Sequence, residues 1–270
     1  MKRIQLFEFE DLNWFPSSFR GYLTNLIIVF HKVMGTKEVI VNLISEIKKT
    51  HSFSTIVDIG SGSGGVMPAV ITTYNSQNKE DQAELILTDL YPNKTIGNRI
   101  NNANQEKVSY LMSSLNATQM DQAPQGLKTM ICSFHHMPKS VAKNILRSAQ
   151  ANLQPLLIYE IAENKLPILV WIALLPISLI FVSIMTLILT VFVQPLRINQ
   201  LIFTYCIPII PLCWSWDAQA SLVRIYTFED IQELIGQFNQ NNYEWTIKQA
   251  TKENGKKLGY YILGLPKKPC

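Results

Sequence analysis

The stretch Thr55-Ile56-Val57-Asp58-Ile59-Gly60-Ser61-Gly62-Ser63-Gly64-Gly65-Val66-Met67-Pro68-Ala69-Val70 decides the fold. Its first part is an apolar, β-branched run of strand length. Its middle is a glycine-rich turn, and its last part, with a proline near the start, opens a helix. Glycine in such a turn permits positive φ and lets the main chain approach a bound group closely. The helix that follows presents unpaired N–H groups at its N-terminus. In this order the three parts form a nucleotide cradle. Gly60, Gly62 and Gly65 also satisfy G-x-G-x-x-G, so the string by itself leaves a dinucleotide site and other adenosine-cofactor sites both open.

The flanks narrow the choice. Residues 38 to 48 carry apolar groups at helical spacing and predict a helix ahead of the first strand. Glu84 to Thr88 predicts a second strand ending in Asp89, where a carboxylate can take the hydroxyls of a ribose. A third strand over Ser109 to Met112 precedes Leu115-Asn116-Ala117, and a fourth over Thr129 to Phe134 precedes His135-His136. A fifth, Leu156 to Ile161, runs into an apolar segment. Strands alternating with helical stretches predict an α/β fold with a parallel, doubly wound, Rossmann-like sheet. Near the C-terminus, Thr227 and Asp230 have capping-box spacing at the head of a helix over Phe228 to Phe238. Tyr243 to Gln249 and Leu258 to Leu265, separated by a polar turn, read as a final pair of strands.

Composition explains what lies between. Of 270 residues 47% are hydrophobic and 16% charged, against roughly 25% charged in a soluble domain. The deficit has one source: from Leu166 to Val193 no residue is charged, and a second apolar run, Leu201 to Trp216, follows the polar turn Gln194 to Gln200. A bilayer core of about 30 Å needs about 20 helical residues. The second run contains Pro208 and Pro211, so a two-helix hairpin crossing the bilayer and a re-entrant hairpin in one leaflet both fit. The 24 basic and 20 acidic residues leave a net charge of +4 with no long basic block, which argues against nucleic acid as a partner. Cys132, Cys206, Cys213 and Cys270 lack C-x-x-C spacing, so neither zinc, nor another metal site, nor a disulfide framework is signalled. The N-terminus turns acidic before an apolar core develops, unlike a secretory signal.

Asp58-Ile59-Gly60-Ser61-Gly62-Ser63-Gly64 resembles the first motif of class I S-adenosylmethionine-dependent methyltransferases, (D/E)-x-G-x-G-x-G, and the resemblance covers roughly residues 50 to 165. The acidic residue two before the first glycine favours this family over a dinucleotide site. The resemblance implies a seven-stranded sheet whose last strand is antiparallel, and S-adenosyl-L-methionine as cofactor. It implies that Asp58 lies near the methionine part, that Gly60, Ser61, Gly62 and Gly64 pass beneath the cofactor, and that Asp89 and Leu90 meet the ribose. Asn116 and Ala117 would meet the adenine; Asn116 stands where the family has an acidic residue. Phe134-His135-His136 falls where the fourth-strand motif faces the departing methyl group, which makes His135 and His136 candidate bases. The strings Glu8 to Pro16 with Arg20, Trp216-Asp217 and Arg224-Ile225-Tyr226 are similar to a bacterial membrane-associated group with an apolar hairpin inserted after the fifth strand.

These readings divide the chain into an N-terminal helical segment covering the cofactor site (1–49), a cofactor-binding core (50–165), a membrane hairpin (166–216) and a helix with two strands completing the sheet (217–270). Trp14, Phe15 and Arg20 either close over the cofactor or substrate or rest on the domain or on lipid, and Asp217 with Arg224 reads as an interfacial ion pair. The expected function is a membrane-associated methyltransferase, its catalytic body on the cytosolic face, acting on a small or lipid-like acceptor. A nicotinamide-dependent oxidoreductase and a non-catalytic anchored cofactor-binding module are the alternatives. The Asn-x-Thr strings at Asn93 and Asn116 are chance matches in such a domain.

Overall fold

Thr55–Ile59 forms β1, the inner strand of a seven-stranded sheet, and it is inner because both its faces are apolar: Ile56, Val57 and Ile59 are all buried. A computed structural model describes residues 2–103, 105–238 and 242–267. The remaining strands are β2 (Glu84–Thr88), β3 (Val108–Tyr110), β4 (Leu127–Ile131), β5 (Leu156–Glu160), β6 (Tyr243–Thr251) and β7 (Lys257–Pro266). Their order is β3-β2-β1-β4-β5-β7-β6. β1 to β5 are parallel, and β7 enters antiparallel between β5 and β6. That antiparallel insertion separates the sheet from the strand order 3-2-1-4-5-6 of dinucleotide-binding folds.

The fourth strand stops earlier than its apolar run suggests. Cys132 takes φ +51, leaving the ladder, and Phe134–His136 winds into a 3-10 turn instead of continuing the strand. The third strand is likewise short, and the fifth ends at Glu160. Residues predicted as one N-terminal helical segment form two helices, α1 (Ser17–Met34) and α2 (Thr36–Thr50), parted at Gly35 with φ +70. Further along come α3 (Met67–Gln77), α4 (Lys94–Asn102) and α5 (Lys139–Ala151).

The chain divides into two units. The sheet unit, Gly35–Ala162 with Ile231–Cys270, has its own core of buried strand residues. Its sheet is pinned by buried polar groups: the Tyr159 hydroxyl donates to the Leu258 carbonyl at 2.9 Å and the Tyr243 hydroxyl to the Gln154 carbonyl at 2.6 Å. Lys128, fully buried in β4, donates to the Pro124 and Gly126 carbonyls and to Gln154 Oε1, and burial lowers its ammonium to about 8. Gly259 in β7 has φ +73, and a Cβ there would lie 1.9 Å from the Glu160 carbonyl, so no side chain fits.

The helical unit, Met1–Met34 with Glu163–Asp230, contains α1, α6 (Ile168–Thr190), α7 (Ile198–Leu201, continued by a π-helical turn over Ile202–Cys206) and α8 (Ile209–Arg224). The seventh helix starts inside the stretch predicted as a polar turn. Pro208 caps α8 and Pro211 sits in its first turn, where a missing N–H costs nothing, and the helical segments on either side meet at 79°. The second apolar run is therefore a bent pair. Leu23, Leu26, Val182, Ile210 and Trp214 belong to the core of this unit. Polarity is inverted relative to a water-soluble helical bundle: Thr186, Thr190, Gln200 and Thr204 are fully buried, whereas Leu169, Ile172, Ile177, Ile180, Phe181 and Ile184 are exposed. Ser183 and Ser215 hydrogen-bond across α6 and α8 at 3.2 Å, and Asn25 of α1 donates to Gln200 at 3.3 Å. The helix Ile168–Thr190 is long and apolar enough to cross a membrane, with 11% of its most apolar window buried.

The two outlying strings of the sequence meet here. Asp217 accepts the main-chain N–H groups of Phe9 (2.7 Å) and Glu10 (3.3 Å). Arg224, 1% exposed, pairs with the equally buried Glu8 at 2.9 Å and with Asp11 at 2.6 Å. Asp217 and Arg224, expected as a pair, thus both serve the N-terminal segment, because its acids and its free N–H groups supply better matched partners. Arg20 donates to the Glu10 and Leu12 carbonyls, the Trp216 indole to the Phe7 carbonyl, and Phe7 stacks on Trp216. Phe15 is buried in the helical core while Trp14 is exposed. α9 (Phe228–Ile235) begins with the predicted capping box, Asp230 N–H donating to Thr227 Oγ1 and Thr227 N–H to Asp230 Oδ2.

Removing one partner of a buried ion pair strands the other charge, at a cost of about 3–5 kcal/mol. Arg224→Ala is expected to lower stability by about that much, and Glu8→Gln with Arg224→Met by less, in denaturant titrations of the purified protein.

Candidate functional site

Four neighbouring parallel strands, β2, β1, β4 and β5, present their carboxyl ends on one edge of the sheet, the edge at which ligands bind in open α/β folds. The predicted residues gather there in the sheet unit. After β1 the chain turns through Gly60 (φ +70), Gly62 (+53), Gly64 (+97) and Gly65 (+51). Four residues with positive φ within six positions demand glycine. The turn is held by Ser61, whose N–H and hydroxyl both reach the Thr88 carbonyl, at 3.0 and 2.9 Å. Around Gly62 and Gly65 nothing lies within 4 Å of where a Cβ would stand, so the turn has open space beside it.

Asp89, just after β2, joins the turn directly: Gly62 N–H donates to its Oδ2 and Tyr91 N–H to its Oδ1, each at 2.9 Å. Each oxygen keeps lone-pair capacity for another donor. The half-buried carboxylate is thus fixed beside the glycine turn, with Leu90 exposed next to it. The Asp89 carbonyl accepts from Leu115 N–H at 2.9 Å, drawing in the loop that carries Asn116 and Ala117. Asn116 Oδ1 accepts from the Thr118 N–H (2.9 Å) and hydroxyl (2.8 Å), an Asx turn that a purine amino group would have to share.

Asp58 is 3% exposed and accepts the Thr129 hydroxyl at 2.7 Å. Burial raises its carboxyl to about 7; the Thr129 hydrogen bond opposes the shift and Asp89 adds to it. A cation brought beside this group would offset the desolvation. Beyond β4, Ser133 Oγ is buried, has no hydrogen-bond partner among the described residues and stands 3.7 Å from the Cβ position of Gly60. Phe134 is fully buried, and His135, 6% exposed, is joined to Glu160: Oε1 accepts its main-chain N–H at 3.0 Å and Oε2 lies 2.8 Å from Nδ1. His136 is half-buried, its ring 4.3 Å from that of His135.

Open space at two glycines, an acceptor-bearing carboxylate tied to the turn and, among the described residues, a buried acid with no counter-cation and a hydroxyl with no hydrogen-bond partner fit a nucleoside carrying a positive charge. Thr129, Ser133 and Glu160 were not among the predicted residues. Glu160 had a signal: a carboxylate inside a run read as a buried strand must find a partner.

No protein-family model matches the chain, and no curated protein matches it in sequence. Among solved structures it is similar to the plantazolicin methyltransferase BamL in complex with a triazolic desmethylPZN analog and SAH. The identity is 11%, over 93% of this chain and 99% of that one, with a TM-score of 0.51. It is also similar to the plantazolicin methyltransferase BpumL in complex with SAH, at 9% identity over 93% and 98%, with a TM-score of 0.50. The chain has the class I methyltransferase fold, a mixed seven-stranded α/β sheet.

A buried acid with a raised pKa holds its proton more tightly folded than unfolded, so its contribution to stability falls as pH rises between the unfolded value of about 4 and the folded value of about 7. In the ligand-free protein, Asp58→Asn is expected to abolish that part of the decline. Thermal unfolding of both forms from pH 4 to 8 checks it.

Proposed function

We propose that this protein is an S-adenosylmethionine-dependent methyltransferase, seated on a membrane, that methylates a small or amphiphilic acceptor. The observation that carries the reading is the glycine turn after β1, with Gly62 N–H bonded to the Asp89 carboxylate. The fold supports it, as do the similar structures solved in complex with SAH. In this reading Asp58 sits by the cationic methionine part, Gly60, Ser61, Gly62 and Gly64 line the underside, and Asp89 and Leu90 meet the ribose. Asn116 and Ala117 flank the adenine, and Phe134 and Ser133 border the methyl end. When bound, the cofactor supplies an electrophilic methyl group on a good leaving group. The chain's own task is then to orient the acceptor and exclude water, with His135 or His136 as the proton acceptor.

Membrane seating is supported by the helix Ile168–Thr190 and by the inverted polarity of the helical unit. β5, before the insertion, pairs with β7, after it. Both ends of the insertion therefore return to one body, which requires an even number of crossings or a re-entrant hairpin. A cofactor made in the cytosol sets that body on the cytosolic face. The bend at Pro208 and Pro211 favours the re-entrant hairpin, in which neither run crosses the bilayer. An acceptor that partitions into the bilayer is the substrate that such an anchor serves.

Isothermal titration of the detergent-solubilised protein is expected to give binding of S-adenosylmethionine, none of NADH, and a loss of about tenfold or more in affinity for Asp89→Ala, the worth of charge-assisted hydrogen bonds. NADH binding alone would select an oxidoreductase. Membranes supplied with radiolabelled methyl donor are expected to place label in solvent-extractable small molecules, whereas label confined to soluble macromolecules would reject the lipid-phase acceptor.

A further inference from the structure

Several hydroxyl groups of the helical unit return to their own helix. Thr24 donates to the Arg20 carbonyl (2.9 Å), Ser178 to Leu174 (2.9 Å), Thr186 to Val182 (2.8 Å) and Thr190 to Thr186 (2.8 Å), each four residues back. Thr204 departs from this pattern. It lies in the π-helical turn Ile202–Cys206, is fully buried, and its hydroxyl has no hydrogen-bond partner among the described residues. Gln200, four residues earlier and also fully buried, is half satisfied: Oε1 accepts from Asn25 of α1 at 3.3 Å, while Nε2 has no partner among the described residues. A spacing of four along one helical segment sets both side chains on the same face. That face is turned inward, since Ile198, Ile202 and Tyr205 on the others are exposed. The turn packs against α6 and α8, and Phe203 within it meets Phe19 of α1 at 4.8 Å between ring centres.

We propose that Gln200 and Thr204, with Asn25 orienting the amide, form a binding site for the hydroxyl or carbonyl oxygen of a neutral, otherwise apolar molecule, of which a long-chain alcohol is the simplest. Two buried polar groups left unpaired cost free energy that apolar side chains in their places would avoid, and such a breach of the burial rule marks a functional position. π-helical turns concentrate at such positions. An oxygen with two lone pairs accepts from both the Gln200 amide and the Thr204 hydroxyl. The ligand is neutral because no charged residue occurs from Leu166 to Leu196 or from Ile198 to Trp216, and Arg197 is exposed. A water held by these two groups alone would fall short of the roughly three hydrogen bonds that buried waters make, whereas an oxygen on an apolar body needs no more. The site belongs wholly to the helical unit and is independent of the cofactor bound by the sheet unit.

The probe is dodecanol carrying a diazirine near its hydroxyl, photolysed with the purified full-length protein and located by peptide mass. Label is expected in the segment Ile198–Cys206 or on the helices packed around it, displaced by excess dodecanol and not by dodecane. Thr204→Val keeps the shape of the side chain and removes the hydroxyl. It is expected to cut the displaceable label about fivefold or more, the worth of one hydrogen bond, and Gln200→Met to do the same. Without the alcohol, Thr204→Val is expected to unfold at a higher temperature than the wild type, because an unpaired buried group is gone. Added dodecanol is expected to raise the unfolding temperature of the wild type alone. Displacement by dodecane as effective as by dodecanol overturns the proposal, as does label unchanged in both variants. So does a Thr204→Val protein less stable than the wild type without alcohol, the result of a hydroxyl already bonded to water. Where Gln200→Met fails to fold, Thr204→Val and the competition in the wild type decide.

Discussion

The pairing of β5 with β7 is the constraint on which the rest depends. Leu156 to Glu160 register against Gly264 to Tyr260, with the whole apolar insertion lying between them in sequence. A chain that leaves a sheet and must return to the adjacent strand cannot strand its two flanks on opposite sides of a barrier. The same pairing brings Gly259 against the end of β5, which fixes the backbone of Glu160. Architecture, topology and the geometry of one acid thus share a single ladder of hydrogen bonds.

Much of this was legible in the sequence because it rests on local rules. The glycines of the cradle take positive φ, as their clustering demanded, and Thr227 with Asp230 forms the box that their spacing announced. Asp89 ends its strand within reach of Gly62. Where local rules competed, reading failed. Thr129 to Phe134 looked like one strand because its residues are apolar or β-branched, but the left-handed turn at Cys132 ends the ladder first. Residues 194 to 200 looked like a turn by polarity, yet Ile198 already begins a helix, and Gln200 is buried within it.

Other features are set by contacts across long sequence separations, which no window of residues reveals. Glu8 and Asp11 find Arg224, and Asp217 finds the N–H groups of Phe9 and Glu10. Composition could signal that such charges need partners but not which. Thr129 reaches Asp58, and Ser133 stands near Gly60, only because β4 lies next to β1.

The burial of Lys128 carries a consequence of another kind. Three oxygens surround its ammonium and none of the residue is exposed, on a strand at the centre of the sheet unit. Amine-reactive reagents reach it when β4 separates from its neighbours, and not before. The rate at which this one amine is acylated is therefore a clock for the opening of the sheet, readable by peptide mass without knowledge of any ligand.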